Sequence, residues 1–267
     1  MESLAHRMEL AADAAWKAGK VTLRHFQTGV EVETKADSSP VTVADRAAEE
    51  FLVAFLSREF PRDGFLGEEF GERPGRSGYR WILDPIDGTK SFIQGVPLYS
   101  VLVGLADASG ESVVGAIAFP ALDEVVVAAR GEGCFWNGRR ARVSSVDDLA
   151  RACVVYTGEE CFEMTGTAAA ERAVRARVRV VRGWGDAYGH ALVATGRAEA
   201  MLDPVLSVWD VAPLLPIIEE AGGVFSDWSG RRTIHGTSAV TTNAAVAREL
   251  RGLLASNPPA TPSGGRA

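Results

Sequence analysis

Apolar residues recur at Leu4, Met8, Ala11, Ala12, Ala15 and Leu23, close to helical spacing, and predict an amphipathic first helix within residues 3–27. Alternation replaces that period at Val30 and Val32 and breaks at Ser38-Ser39-Pro40. A second helix is predicted after Thr42, through VADRAAEEFLVAFLSREF, and stops before Pro61. Thr42 and Asp45 stand close to capping-box spacing at its start. DGFLG (63–67) and YRWILD (79–84) read as short strands. Four strand-like stretches follow between 98 and 137: LYSVLVGLAD, SVVGAIAFP, DEVVVAAR and GCFWN. Turn signals at Ala108-Ser109-Gly110, Pro120-Ala121-Leu122-Asp123 and Gly131-Glu132-Gly133 separate them and predict an antiparallel meander.

After the meander the pattern alternates between strand and helix. ACVVYTG, VRVVRGWG, AEAMLDP, GVFSDWSG and TSAVTTN read as strands. Helices are predicted over roughly 166–177, over AYGHALVATG, over VWDVAPLLPIIEEAGG with a glycine stop at Gly222-Gly223, and over AAVARELRGLLAS. The reading is a mixed α/β (α+β) chain with an N-terminal half over 1–148 and a C-terminal half over 149–256. The tail 257–267, NPPATPSGGRA, is expected to be disordered. Ligand sites often lie where two such halves meet.

Composition narrows the function classes. The chain has 267 residues, 46% apolar and 24% charged, an ordinary globular profile with ample core. A net charge of −7 disfavours non-specific binding to nucleic acid or acidic membranes. An acidic protein that handles an anionic substrate needs local positive charge, and a metal ion is one source. The cysteines Cys134, Cys153 and Cys161 are odd in number with no CxxC, which points to a reducing compartment rather than a disulfide framework. The four histidines are scattered without zinc spacing. The N-terminus carries Glu2, Glu9 and Asp13 and reads as neither a signal peptide nor a membrane span, so a cytoplasmic protein is expected.

The chemistry centres on WILDPIDGTKSF, residues 81–92. Asp84 and Asp87 end a strand-like run, Pro85 stiffens the turn, and Ile86 between them offers a carbonyl oxygen. Such oxygen-only ligation suits Mg²⁺ or Mn²⁺. Gly88 and Thr89 place backbone N–H groups at the start of a helix predicted over 89–94, an arrangement that binds phosphate oxygens. Taken alone, the stretch could equally be a plain Asp-Pro turn. Three other acidic features join it. Glu68 and Glu69 follow a strand between glycines; Asp210 starts a helix amid apolar residues; Asp45 lies in the first turn of the second helix. Each has a local explanation, as an exposed turn, an N-cap or a dipole-favoured surface acid. Together they match a multi-metal site for phosphate ester hydrolysis.

GEE, WILDPIDGTKSF and WDVAPLLPIIEEAGG, in this order, resemble the inositol monophosphatase-like family of Mg²⁺-dependent, lithium-sensitive phosphatases, over about residues 5–250. The resemblance implies a layered αβαβα sandwich. It also implies that Glu68, Asp84 and the Ile86 carbonyl hold a first metal, and that Asp84, Asp87 and Asp210 hold a second. Glu68 with Asp45 would help place a third metal and the nucleophilic water. Thr89 would orient that water, and the Gly88 and Thr89 N–H groups would cradle the phosphate. Two or three Mg²⁺ per site, with Mn²⁺ as a substitute, and a homodimer are implied in the same way. No ligating position of the set is missing, which favours an active phosphomonoesterase over a binding protein that kept only the fold.

The substrate is read from less specific residues. The core motif does not choose among inositol phosphates, sugar bisphosphates, nucleotide 3′-phosphates and histidinol phosphate. RGWGDAYGHALVATGRAEAMLDPVLSVWD resembles the histidinol-phosphatase branch, with a Gly-Asp-aromatic-Gly type of stretch, here Gly185-Asp186-Ala187-Tyr188-Gly189, before the helix. Histidinol phosphate bears an ammonium and an imidazole, and an acidic residue near the pocket mouth would favour it. Asp186 is the candidate; its alternative role is the N-cap of a helix over 187–195. Hydrolysis of L-histidinol phosphate is therefore the expected reaction, with inositol 1-phosphate or a nucleotide 3′-phosphate as the alternative.

Overall fold

The hydrophobic patterns resolve into alternating layers of helix and sheet. The computed structural model describes residues 2–35 and 40–259. Helix α1 (Leu4–Leu23) leads to an antiparallel pair, β1 (Val32–Thr34) and β2 (Pro40–Thr42), and then to α2 (Val43–Glu59). Next come β3 (Gly64–Gly67), β4 (Gly71–Arg73), β5 (Arg80–Asp87), the short α3 (Thr89–Ile93) and β6 (Ser100–Ala106). β7 (Ser112–Phe119), β8 (Glu124–Ala129), β9 (Gly133–Trp136) and β10 (Arg139–Arg140) complete the meander. The chain continues through β11 (Cys153–Tyr156), α4 (Glu159–Met164), α5 (Ala168–Arg175), β12 (Val180–Arg182) and α6 (Ala187–Ala194). β13 (Ala200–Asp203), α7 (Val208–Glu220), β14 (Gly223–Ser226), β15 (Ala239–Asn243) and α8 (Ala247–Ser256) follow.

The first sheet runs β10-β9-β8-β7-β6-β5-β3-β4, antiparallel except where β3 lies parallel to β5. The second runs β12-β11-β13-β15-β14, with β11 parallel to both neighbours. Helices α1 and α2 cover one face of the first sheet, α6 and α7 fill the space between the sheets, and α5 and α8 cover the second sheet. This is the expected αβαβα sandwich. Because β6 is covered on both sides, all of its residues are buried. Val101, Val103 and Leu105 face the α1–α2 core, while Leu102 and Ala106 face the α6–α7 core.

Two glycines set the depth of α7. Gly104 and Gly115 are register partners on β6 and β7. A methyl group at Gly104 would press on Ala212, and one at Gly115 would overlap the Pro213 backbone. The helix also contains Pro213 and Pro216. Pro216 supplies no N–H to the Ala212 carbonyl, and the Ser112 hydroxyl donates to it instead at 2.6 Å.

Several expectations shift in detail. The helix expected over 166–177 is α5, and the separate α4 before it was not anticipated; Gly166 at positive φ divides them. Strand β5 does not stop at Asp84 but runs to Asp87, with a break in register against β6 between the two aspartates. Asp210 is not an N-cap: Ser207 caps α7, and Asp210 is the third helical residue, whose Oδ2 accepts the Ser207 N–H at 2.7 Å. The capping box at Thr42 and Asp45 is formed as read. The three cysteines are free. Ser38, Ser39 and the part of the expected disordered tail from 260 onward lie outside the described residues. No helix among the described residues is long and apolar enough to cross a membrane.

Candidate active site

The register break in β5 turns two aspartates toward one place. Asp84 Oδ1 accepts the N–H of Ile86 at 3.0 Å, which folds the Asp-Pro-Ile segment into a tight bend. Asp87 Oδ2 accepts from the Ser100 hydroxyl at 2.8 Å and from the Ala187 N–H at 2.9 Å. Helix α7, seated on its two glycines, brings Asp210 from the other half of the chain. One carboxylate oxygen from each of Asp84, Asp87 and Asp210 lies within 4.8 Å of the others.

Three acids so close, two of them buried, do not all ionise easily. Burial pushes the Asp84 carboxyl well above the usual carboxylate range, and the charges of Glu68, Asp210 and Asp87 push it further. Burial and the charges of Asp186 and Asp210 raise Asp87, opposed by the Ala187 N–H and the Ser100 hydroxyl. Asp210 is raised to about 6, mainly by burial, with the charges of Glu68 and Asp186 adding to it. A hard divalent cation would remove this repulsion, and an all-oxygen donor set is what Mg²⁺ selects. The residues therefore fit such an ion, with Asp84, Asp87 and Asp210 as its holders.

The other predicted residues surround this group. Glu68 sits in the turn after β3, where Lys35 Nζ donates to its Oε1 at 2.7 Å and to Glu69 Oε1 at 2.5 Å. Asp45 is buried, and its Oδ2 accepts from both the N–H (2.8 Å) and the hydroxyl (2.7 Å) of Thr42. Burial raises it to about 6. Neither Glu68 nor Asp45 is in the tight triad. The Thr89 hydroxyl donates to the Ile86 carbonyl at 3.1 Å, joining the two positions expected to act on water and metal. Gly88 takes φ of 76°, a left-handed conformation that glycine adopts without cost, and precedes α3. The first N–H groups of that helix have no acceptor within it.

A cavity of about 450 Å³ opens at Gly88, the residue after Asp87, and is lined by Glu68, Thr89 and Asp186 and by Thr157, Glu160 and Cys161 around the start of α4. Asp186 occupies the cap position of α6 but its side chain makes no capping bond. Its carboxylate instead lies over Gly88, where an added Cβ would come 2.5 Å from Oδ2. Burial raises its carboxyl, and the Lys90 charge opposes this.

Two residues near the site were not singled out in the sequence. Glu49, buried in α2, accepts the N–H groups of Glu69 (2.8 Å) and Phe70 (3.0 Å) and so fixes the turn that carries Glu68. A side chain on Gly67 would collide with its carboxylate. The signal was present: Glu49 falls on the buried stripe of Asp45, Ala48, Leu52 and Leu56. Asp203, at the end of β13, is buried, accepts from the Thr157 hydroxyl at 2.9 Å, and is raised to about 8, chiefly by burial. A carboxylate at a strand end, in AEAMLDP, was its signal.

This geometry agrees with comparisons to known proteins. The model of the inositol monophosphatase family matches residues 3–258. A histidinol-phosphatase of Chlorobaculum parvum is 46% identical over 91% of this chain and 94% of its own. An inositol-1-monophosphatase of Mesorhizobium japonicum is 38% identical, over 91% and 94%. The crystal structure of extragenic suppressor protein suhB from Bartonella henselae superposes with a TM-score of 0.87 at 32% identity, covering 93% of this chain and 98% of that one. Fold, acidic triad and sequence matches agree, and the chain belongs to the inositol monophosphatase family.

Proposed function

We propose that the protein is a Mg²⁺-dependent phosphomonoesterase that hydrolyses L-histidinol phosphate to L-histidinol and phosphate. The observation that carries the reaction is the Asp84–Asp87–Asp210 triad beside the cavity that Gly88 and Thr89 line. Asp84, Asp87 and Asp210 hold Mg²⁺ or Mn²⁺, with Glu68, Asp45 and the Ile86 carbonyl completing a set for two or three ions. Ions held there would supply Lewis-acid chemistry, activating water and offsetting charge on the phosphoryl oxygens. The Gly88 and Thr89 N–H groups orient the phosphate. Thr89 and Glu68 position the attacking water in line with the ester oxygen.

The substrate reading rests on charge and on relatives. A phosphate ester that also carries an amine and an imidazole suits a cavity lined by Glu68, Asp186 and Glu160 better than a neutral polyol does. The relative at 46% identity is a histidinol-phosphatase. An inositol-1-phosphatase activity is the second reading, favoured by the 38% identity to the Mesorhizobium enzyme. Three free cysteines suit a reducing cytoplasm, and a homodimer is the assembly we expect. Phosphate release from histidinol phosphate, measured with Mg²⁺ and with chelator, tests the enzyme claim; the absence of Mg²⁺-stimulated release from any phosphomonoester would refute it.

A further inference from the structure

We propose that Glu160 is a specificity-determining residue that accepts an N–H from a heteroaromatic ring on the leaving group. The inference rests on the histidinol phosphate reading and deepens it. The cavity is acidic at Glu68 and Asp186 and again at Glu160, and Lys90 is the cation among its lining residues. Asp186 lies over Gly88, beside Asp87, and so belongs to the phosphate end. Glu160 lines the same cavity from α4, alongside Thr157 and Cys161.

Adjacent acids on α4 differ in what they touch. Glu159 is engaged by Arg175 at 2.6 Å and by the Tyr156 hydroxyl at 3.2 Å. Glu160 makes no hydrogen bond or ion pair among the described residues and is exposed. Its carboxylate is folded back over Gly158, where an added Cβ would lie 2.5 Å from both oxygens. A side chain at 158 would evict it from that position. The glycine therefore keeps on the cavity wall an acceptor that has no partner among the described residues.

The ligand's own geometry assigns the two ends. In histidinol phosphate the amine is on the carbon next to the ester methylene, and the ring hangs one carbon further out. With the phosphate at Gly88 and Thr89, the amine falls near Asp186 and the ring reaches the outer wall. Imidazole offers an N–H in either protonation state, and a carboxylate accepts it. The bond strengthens when the ring is protonated, below about pH 6.5.

The test uses three phosphomonoesters: histidinol phosphate, O-phosphoethanolamine, which has the amine without the ring, and glycerol 3-phosphate, which has neither. Glu160→Ala should lower kcat/KM for histidinol phosphate about tenfold, through KM, and leave the other two unchanged. Glu160→Gln should fall between, and the loss in Glu160→Ala should widen from pH 8 to pH 6. Equal losses on all three substrates, or no loss on histidinol phosphate, would overturn the assignment. A wild-type enzyme with no preference for histidinol phosphate over glycerol 3-phosphate would defeat the substrate reading itself, and this assignment with it.

Discussion

Asp87 accepts the backbone N–H of Ala187 at 2.9 Å, a bond that ties the end of β5 to the start of α6 across one hundred residues. It makes one structural unit of the metal triad and the wall that carries Asp186. Asp87 thus has two tasks: one oxygen anchors α6, and the carboxylate also joins the triad.

Asp84 is the most buried of the three triad acids. In Asp84→Asn the amide oxygen can still accept the Ile86 N–H, so the bend survives. Activity should fall on the order of a thousandfold, roughly 4 kcal/mol of transition-state stabilisation. Thermal melts should show the variant at least as stable as the wild type without metal, because a buried carboxyl whose ionisation its neighbours oppose becomes a neutral amide. The Mg²⁺-induced rise in Tm should vanish.

The same carboxylates link metal binding to pH. Asp210 is raised to about 6 and Asp203 to about 8, both chiefly by burial. A carboxyl raised on folding stabilises the fold fully below its unfolded value near 4 and loses that contribution as pH climbs through the folded value. The metal-free protein therefore loses this stability between about pH 4 and 8. Mg²⁺ competes with the protons of the triad, Asp210 among them, so its Tm increment should be larger at pH 8 than at pH 5.5. A larger increment at pH 5.5 would contradict the electrostatics of the triad.

His190 produces the opposite slope. It is buried in α6, its Nδ1 meets the Thr241 hydroxyl at 2.9 Å, and its Nε2 is buried without a partner among the described residues. Burial pushes its pKa down to about 3. The unfolded chain takes up a proton near pH 6.5 while the folded one does not. Stability from this residue is complete above 6.5 and declines by at most about 1.4 kcal/mol per pH unit down to the folded value. Urea titrations from pH 7 to 4 should show a shallower acid decline in His190→Gln than in the wild type.

Glu49 links packing to the site through the turn after β3. Glu49→Ala leaves the Glu69 and Phe70 N–H groups without their acceptor, which should cost roughly 2–4 kcal/mol in urea unfolding. Mg²⁺ should then bind more weakly by isothermal calorimetry, because the Glu68 turn is no longer fixed. Glu49→Gln, which keeps one acceptor, should recover part of both losses. Unchanged Mg²⁺ affinity in the alanine variant would show that the turn holds its shape without Glu49.

How much of this could be read in advance follows from how local each cause is. The Asp84–Pro85–Ile86–Asp87 bend and the Thr42–Asp45 cap are decided by neighbours a few residues apart, and both appeared where the sequence put them. Period-two apolar stretches made the meander legible for the same reason. Gly104 and Gly115 carry no such local signal. Their value lies in the approach of Ala212 and Pro213, about a hundred residues away, and only the packed structure shows it. Lys35 on Glu68, and the turn of Asp186 over Gly88, depend on the same long-range assembly. The local alternative for Asp210, an N-cap, is three residues out of place because Ser207, not the aspartate, caps α7.

The central claim is most directly tested by kcat/KM with Mg²⁺ on L-histidinol phosphate, D-myo-inositol 1-phosphate and adenosine 3′,5′-bisphosphate, measured side by side. A preference for histidinol phosphate of at least about tenfold, or 1.4 kcal/mol in transition-state binding, is the predicted result. A clear preference for inositol 1-phosphate would contradict it.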